Sequence, residues 1–184
     1  MSMNPIITLP DGYFLSVVQA SDAEALVEYL NDKEIYNTTL TIPYPYKKED
    51  AESWIGRKLA YREKVGRDFT FAIRDANGKL IGIVAADNYE PGKSHYTEIG
   101  YWLARPYWGR GIITGAVRAF VRYLFLETEL KRITAHIFSH NTGSIRVAEK
   151  NGFVREGLLR KHYCKDGVYY DGYLYGLLKE DMEL

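Results

Sequence analysis

The chain is expected to fold as one mixed α/β (α+β) domain over residues 1–184, with about seven mostly antiparallel strands and about four helices. Three observations lead there. Phe69, Phe71 and Ile73 alternate with polar or small residues, and two more apolar runs, Leu80–Ala86 and Tyr96–Leu103, follow across short polar breaks. A helical period from about Arg110 to Leu126 then precedes the strand pattern Ile133, Ala135, Ile137, so one strand pair should be parallel through a β-α-β crossover. Finally, 46% apolar and 26% charged residues describe a globular chain long enough to bury a core.

In order along the chain, Tyr13–Val18 reads as a first strand after a Pro/Asp/Gly turn. Ser21 and Glu24 are spaced as a capping box, opening a helix whose buried face carries Ala25, Leu26, Tyr29 and Leu30. Residues 36–46, with two prolines and no helical period, read as a tyrosine-rich loop. A second helix places Ala51, Trp54, Ile55, Leu59 and Val65 on one face and stops at Gly66. Asn77-Gly78 turns a hairpin between the strands at Phe69–Arg74 and Leu80–Ala86. Pro91-Gly92 reverses the chain into Tyr96–Leu103. The long helix should bury Ile113, Ala116, Val117, Phe120, Val121 and Leu124. A short helix, Gly143–Asn151, ends at Gly152, and two last strands, Phe153–Leu159 and Val168–Leu178, join around Asp166-Gly167.

Composition excludes several classes. Lys plus Arg and Asp plus Glu are both 24, which leaves no basic footprint for nucleic acid or a membrane surface. Cys164 is the single cysteine, so no intrachain disulfide or Cys-rich zinc site is expected. His136 and His140 are four apart but on a strand and its exit, where that spacing does not gather a metal, so none is expected. No signal-peptide pattern or membrane-length apolar run is present, and a cytoplasmic protein is expected.

The chain is organised around Tyr96–Ala116. Gly109 and Gly111 flank Arg110 where a helix begins, and a helix start offers unpartnered N–H groups and partial positive charge to a phosphate. Arg110 adds a full charge and a fork of donors. The same glycines also permit the plainer role of a tight turn with close helix packing. A dinucleotide fingerprint is a third reading, disfavoured because the preceding strands are antiparallel and no acidic residue ends the next one.

Several separated motifs resemble the GNAT superfamily of acetyl-CoA-dependent N-acetyltransferases, and more narrowly the branch that acetylates ribosomal-protein N-termini. Glu98-Ile99-Gly100-Tyr101-Trp102-Leu103 resembles that branch's central strand, and Tyr107-Trp108-Gly109-Arg110-Gly111 its pyrophosphate loop. Asn141-x-x-Ser144 with Val147-Ala148-Glu149-Lys150-x-Gly152-Phe153 is similar to its last helix, and Glu156-Gly157, Arg160 and Asp171 to its C-terminal pattern. Trp108 and Ile113 depart from the general loop, which begins with Gln or Arg and has Gly or Ala at the later position, and Gly115 stands where the branch commonly has glutamate.

The resemblance implies a central strand splayed from its parallel neighbour, with the pantetheine arm of acetyl-CoA in the gap. Backbone groups of Trp102, Leu103 and Ala104 would pair with that arm. Those of Trp108, Gly109, Arg110, Gly111 and Ile112, with the Arg110 side chain, would hold the pyrophosphate. Asn141 would bond the pantetheine or the sulfur end, and Arg105 offers a further cation for a phosphate. The implied reaction is direct attack of a primary amine on the thioester. An N-terminal amine, with a pKa of about 7.7–8.0 against about 10.4 for lysine, loses its proton readily.

Glu98 could be the general base, or a cross-strand partner of Lys93. Ser144 could protonate the leaving thiolate, or satisfy backbone donors at the helix start. The acceptor site should involve residues 36–46, the second helix and the C-terminal hairpin, with Tyr36, Tyr44, Tyr46, Tyr163 and Tyr170 as candidate lining. Asp87, Glu90 and Asp171 could serve a cationic acceptor. The expected acceptor is a peptide or protein N-terminus, with a polyamine, small amine or antibiotic as the alternative. A non-catalytic acyl-CoA-binding module is the competing class, and a homodimer is common in the superfamily.

Overall fold

The computed structural model describes residues 7–87 and 89–182, with the backbone alone at Asp87. They divide into two compact units, one drawn from Met1–Ala85 and Tyr101–Ala116, the other from Ala86–Gly100 and Val117–Leu184. Among the described residues are eight strands and five α-helices, arranged as the expected mixed α/β fold.

In the first unit, β1 (Ile7–Thr8), β2 (Phe14–Val17), β3 (Thr70–Arg74) and β4 (Leu80–Asp87) lie in that order, the first three pairings antiparallel. All of β3 is buried, so its alternation in sequence does not mark a wet face. The hairpin between β3 and β4 is held by Asp75, whose Oδ1 accepts from the amides of Asn77 (3.0 Å) and Lys79 (2.9 Å). Helices α1 (Ala23–Leu30), α2 (Lys33–Asn37) and α3 (Lys48–Val65) belong to the same unit. Leu26, Leu30, Ala51 and Ile55 pack with Val18, Ala72, Leu80 and Ile83 in its core. Gly66 ends α3 in the left-handed conformation, φ 70°, as its position after Val65 implied.

Two local expectations change. No Ser21/Glu24 box forms at α1; the box lies on the 3₁₀ turn just ahead of it, Ala20–Asp22, where the Gln19 amide donates to Asp22 Oδ2 at 2.8 Å. Asp22 is drawn inward because it also receives Arg74, Nη1 at 2.7 Å and Nη2 at 2.9 Å. Both side chains are buried, and Arg74 donates further to Ser16 Oγ and to the Val17 and Gly78 carbonyls. Removing one partner of such a pair costs about 3–5 kcal/mol. The second change is α2, a five-residue helix reaching Asn37 in a stretch read as loop. Asp32 caps it, accepting from the Glu34 amide at 2.9 Å.

In the second unit, β5 (Tyr96–Leu103, its first five residues here), β6 (Arg132–Phe138), β8 (Val168–Leu178) and β7 (Val154–Lys165) lie in the order β5-β6-β8-β7. The β5/β6 pair is parallel, as the crossover predicted, and its paired stretch ends at Glu98↔Thr134. That is where the expected splay begins. Helices α4 (Ile112–Glu127) and α5 (Thr142–Lys150) complete the elements. The apolar face of α4 opens with Ile112, 7% exposed, whereas Ile113 is half-buried. The bulky residue at 113 therefore loads no extra volume into the core.

β8 carries Gly172 and Gly176 on one face, and side chains of β6 and β7 meet across both. Over Gly176, Arg132 reaches Glu156, Nη1 to Oε1 at 2.6 Å. Over Gly172, the Phe138 and Tyr163 rings lie 4.1 Å apart between centroids. Glu156 is thus a cross-strand tie, its carboxyl held below the usual range by the Arg132 hydrogen bonds.

Candidate functional site

Within the first unit, β5 ends at Leu103 and a 3₁₀ turn, Arg105–Tyr107, leads to the loop Trp108–Gly111 and α4. The loop is clasped to the strand end: the Trp108 indole N–H donates to the Leu103 carbonyl at 2.6 Å, although the side chain is exposed. Gly109 and Gly111 have φ of 76° and 77°, and a Cβ at either would meet nothing within 4 Å. They are needed for left-handed backbone and not for close helix packing. Such glycines around one residue turn successive N–H groups toward a common concavity. The first bond of α4 runs from Gly115 N to Gly111 O, 3.0 Å, but the Trp108 amide, expected as a phosphate donor, is given to the Arg105 carbonyl at 3.1 Å, so the ligand-facing amides are those of residues 109–112. Arg110 is exposed, its guanidinium 5.7 Å from the Tyr107 ring centroid. This donor set fits a pyrophosphate.

The strand end leaves less for a pantetheine arm than expected. The buried Ala104 gives its amide to the Ile81 carbonyl at 2.8 Å, so Ala104 offers no donor. Leu103 O retains a second lone pair beside the Trp108 bond. The strand approaches β4 closely at Trp102, where a Cβ on Gly82 would lie 2.5 Å from the Trp102 carbonyl oxygen. Arg105 does not point free: its Nε donates to Asp32 Oδ2 at 2.6 Å.

In the second unit Glu98 stands at the last paired position of the parallel seam. Its Oε2 lies 3.1 Å from His136 Nδ1, with Glu98 about 44% and His136 about 26% exposed. Lys93 does not take Glu98; it pairs with Glu90 at 3.2 Å. Beyond His136 an imidazole and aromatic cluster continues. His136 stacks on His162 (5.5 Å), His162 meets Tyr163 edge-on (4.8 Å), and His140 lies 5.3 Å from Tyr170. Burial, then the nearby Glu98 charge, pushes the Tyr163 phenol up to about 12. At neutral pH it is a proton-bearing group and no base.

Asn141 and Ser144 also lie in this unit, at the start of α5. Asn141 is the cap: its Oδ1 accepts from the Ser144 amide at 3.0 Å. The side chain that caps the Ser144 amide is therefore that of Asn141. Asp171 accepts from the Lys161 amide at 2.7 Å inside β7, where Lys161 is left-handed.

The tyrosines separate. Tyr46 is 6% exposed, and Asn31 bonds both its amide (2.9 Å) and its carbonyl (2.7 Å), so it is a core residue and not a lining one. Its phenol is pushed up to about 12 by burial first. Tyr36 and Tyr44 stand together with centroids 5.4 Å apart, Tyr44 exposed. Tyr163 is 7% exposed and Tyr170 half-buried. The side chain of Asp87 lies outside the described residues. No group of His, Cys, Asp or Glu suited to a metal occurs among the described residues, and Cys164 is an exposed thiol.

The residue that sequence reasoning missed is His136. Its signal was the parallel register, since Glu98↔Thr134 puts residue 136 on the same face, one step beyond. The spacing to His140 drew attention to the wrong neighbour.

Residues 14–154 match the acetyltransferase (GNAT) domain model. The SPbeta prophage-derived uncharacterized N-acetyltransferase YokL of Bacillus subtilis is 30% identical over 155 residues, 83% of each chain. The ribosomal-protein-serine acetyltransferase of Escherichia coli is 35% identical over 97 residues, 53% of this chain and 54% of the relative. The crystal structure of the ribosomal-protein-S5-alanine acetyltransferase of Vibrio fischeri is similar at a TM-score of 0.85 and 25% identity, covering 98% of this chain and 100% of that one.

Proposed function

The chain belongs to the GNAT acetyltransferase family, and from that premise we propose that it acetylates a peptide or protein N-terminal α-amine, drawing the acetyl group from acetyl-CoA. The observation that carries cofactor use is the loop Trp108–Gly111, two left-handed glycines around an exposed Arg110 at the start of a sixteen-residue helix. An α-amine acceptor is supported by the relatives named for ribosomal-protein serine and alanine acetylation. We read residues 1–184 as one acyltransferase domain, in keeping with a structural neighbour that covers 98% of the chain. No helix among the described residues is long and apolar enough to cross a membrane, which is compatible with the cytoplasmic location proposed.

Acetyl-CoA supplies an acetyl group activated as a thioester. The chain's residues have four tasks. Gly109, Arg110, Gly111 and Ile112 hold the pyrophosphate, Trp108 clasps their loop to the strand end, and Trp102 and Leu103 lie alongside the arm. Glu98 takes the proton that the amine loses as its nitrogen bonds the acetyl carbon. The Ser144 hydroxyl gives a proton to the sulfur as the C–S bond breaks. Tyr36, Tyr44 and Tyr170 serve as acceptor-facing surface.

The test is calorimetry with acetyl-CoA and CoA, followed by thiol release across N-terminal Ala and Ser peptides, polyamines and small amines. Saturable binding and turnover of the peptides are expected. Absence of binding would sink the reading, and turnover of only polyamines or small amines would replace the acceptor.

A further inference from the structure

Glu98 is a good base only if its carboxylate is held still, and three features around it bear on that. The parallel pairing of β5 with β6 stops at Glu98↔Thr134, so Glu98 stands at the end of the paired seam. His136 lies two residues past Thr134 on the same face and brings Nδ1 to 3.1 Å from Oε2. An ionised carboxylate only accepts, so a bond here requires the proton on Nδ1. The second carboxylate oxygen is then left to the reacting amine or a bridging water.

His136 is itself fixed by His162, stacked at 5.5 Å and 21°. His162 and Tyr163 are sequence neighbours and would face opposite sides of a regular strand. They do not, because β7 is bulged between Leu159↔Gly172 and Tyr163↔Tyr170, with Lys161 left-handed at φ 50°. Asp171 closes the bulge through the Lys161 amide. Bulges beside sites commonly re-aim a side chain, and this one turns His162 onto the ring of His136.

We infer that His136 is a positioning residue for the reaction: it donates from Nδ1 to Glu98 and holds that carboxylate in the orientation that takes the amine proton. This rests on the reading of Glu98 as the base, and the variants separate the two. The readout is steady-state thiol release with the fastest N-terminal Ala or Ser peptide of the panel. Glu98→Gln should lower kcat about a hundredfold or more. His136→Ala should lower kcat about tenfold or more with KM for acetyl-CoA unchanged. His136→Asn, whose amide nitrogen stands where Nδ1 stands, should recover most of the loss, and His136→Gln should not.

If Glu98→Gln is slow while His136→Ala runs as the wild type, or if Asn rescues no better than Gln, the inference fails alone. If Glu98→Gln is unimpaired, the base assignment fails first. A readout independent of turnover is the ¹⁵N spectrum of the His136 imidazole. The Nδ1–H tautomer should dominate in the wild type and lose its preference in Glu98→Gln; an Nε2–H tautomer in the wild type would overturn the inference.

Discussion

Asn141 Oδ1 accepts the Ser144 amide at 3.0 Å, so the cap of α5 and the candidate acid are different side chains one turn apart. The two substitutions should therefore separate. Asn141→Ala removes a cap and should cost about 1 kcal/mol of stability. Ser144→Ala leaves that cap in place, so it should cost less stability than Asn141→Ala and lower kcat instead. Urea unfolding alongside thiol release checks both. Equal loss of stability in the two variants would return Ser144 to a structural role.

Arg110 stands exposed between two left-handed glycines, which suits a charge that meets a ligand and not a fold partner. Arg110→Ala should weaken acetyl-CoA binding by about 10- to 100-fold, the range of a charge-assisted hydrogen bond. Arg110→Glu should weaken it further. Arg110→Lys should recover part, since it keeps the charge and loses the planar fork. Calorimetry giving one affinity for all four proteins would remove the loop from the cofactor site.

Much of this was legible from the chain because the signals were local. Gly66 after Val65, Asn77-Gly78 and the period of α4 each dictate conformation within a few residues, and each forms as read. What escaped depends on pairing across distance. The Ser21/Glu24 spacing was valid locally, but Asp22 has a remote partner in Arg74 and takes the capping role with it. Tyr46 looked like loop aromatic lining until Asn31 tied its backbone into the core. The Glu98–His136 contact needs the parallel register, and His162 needs a bulge that no residue pattern announced.

The two glycines of β8 offer a test of packing across that strand. A Cβ at Gly172 would lie 2.7 Å from Tyr163 Cε2 and 3.3 Å from its Cζ, against a ring buried between strands. Gly172→Ala should cost about 1–3 kcal/mol, since an overpacked ring cannot step aside. At Gly176 a Cβ would meet the Glu156 carboxylate and Arg132, the ends of long side chains in a partly exposed ion pair. Gly176→Ala should cost less, because exposed pairs contribute at most about 1 kcal/mol. Thermal unfolding of both variants ranks them; the reverse order would mean that the Arg132–Glu156 tie, and not the Phe138–Tyr163 contact, holds the hairpin to β6.

Burial of Tyr46 gives a pH signature at the alkaline end. Its phenol is pushed up to about 12, first by burial, then by Asp50, against a smaller opposing effect of Arg57. In the unfolded chain a tyrosine ionises near 10. Below about 10 both states hold the proton, and this group adds no pH dependence. Between about 10 and 12 the unfolded chain has lost the proton while the folded one keeps it, so stability falls as pH rises. The limiting slope from one such group is about 1.4 kcal/mol per pH unit. Tyr46→Phe keeps the buried ring and removes the proton, so its stability should decline less steeply across that window. Urea midpoints at pH 9, 10 and 11 measure the difference. Parallel curves for the two proteins would mean that the Tyr46 hydroxyl reaches water, contrary to its place in the core with Asn31.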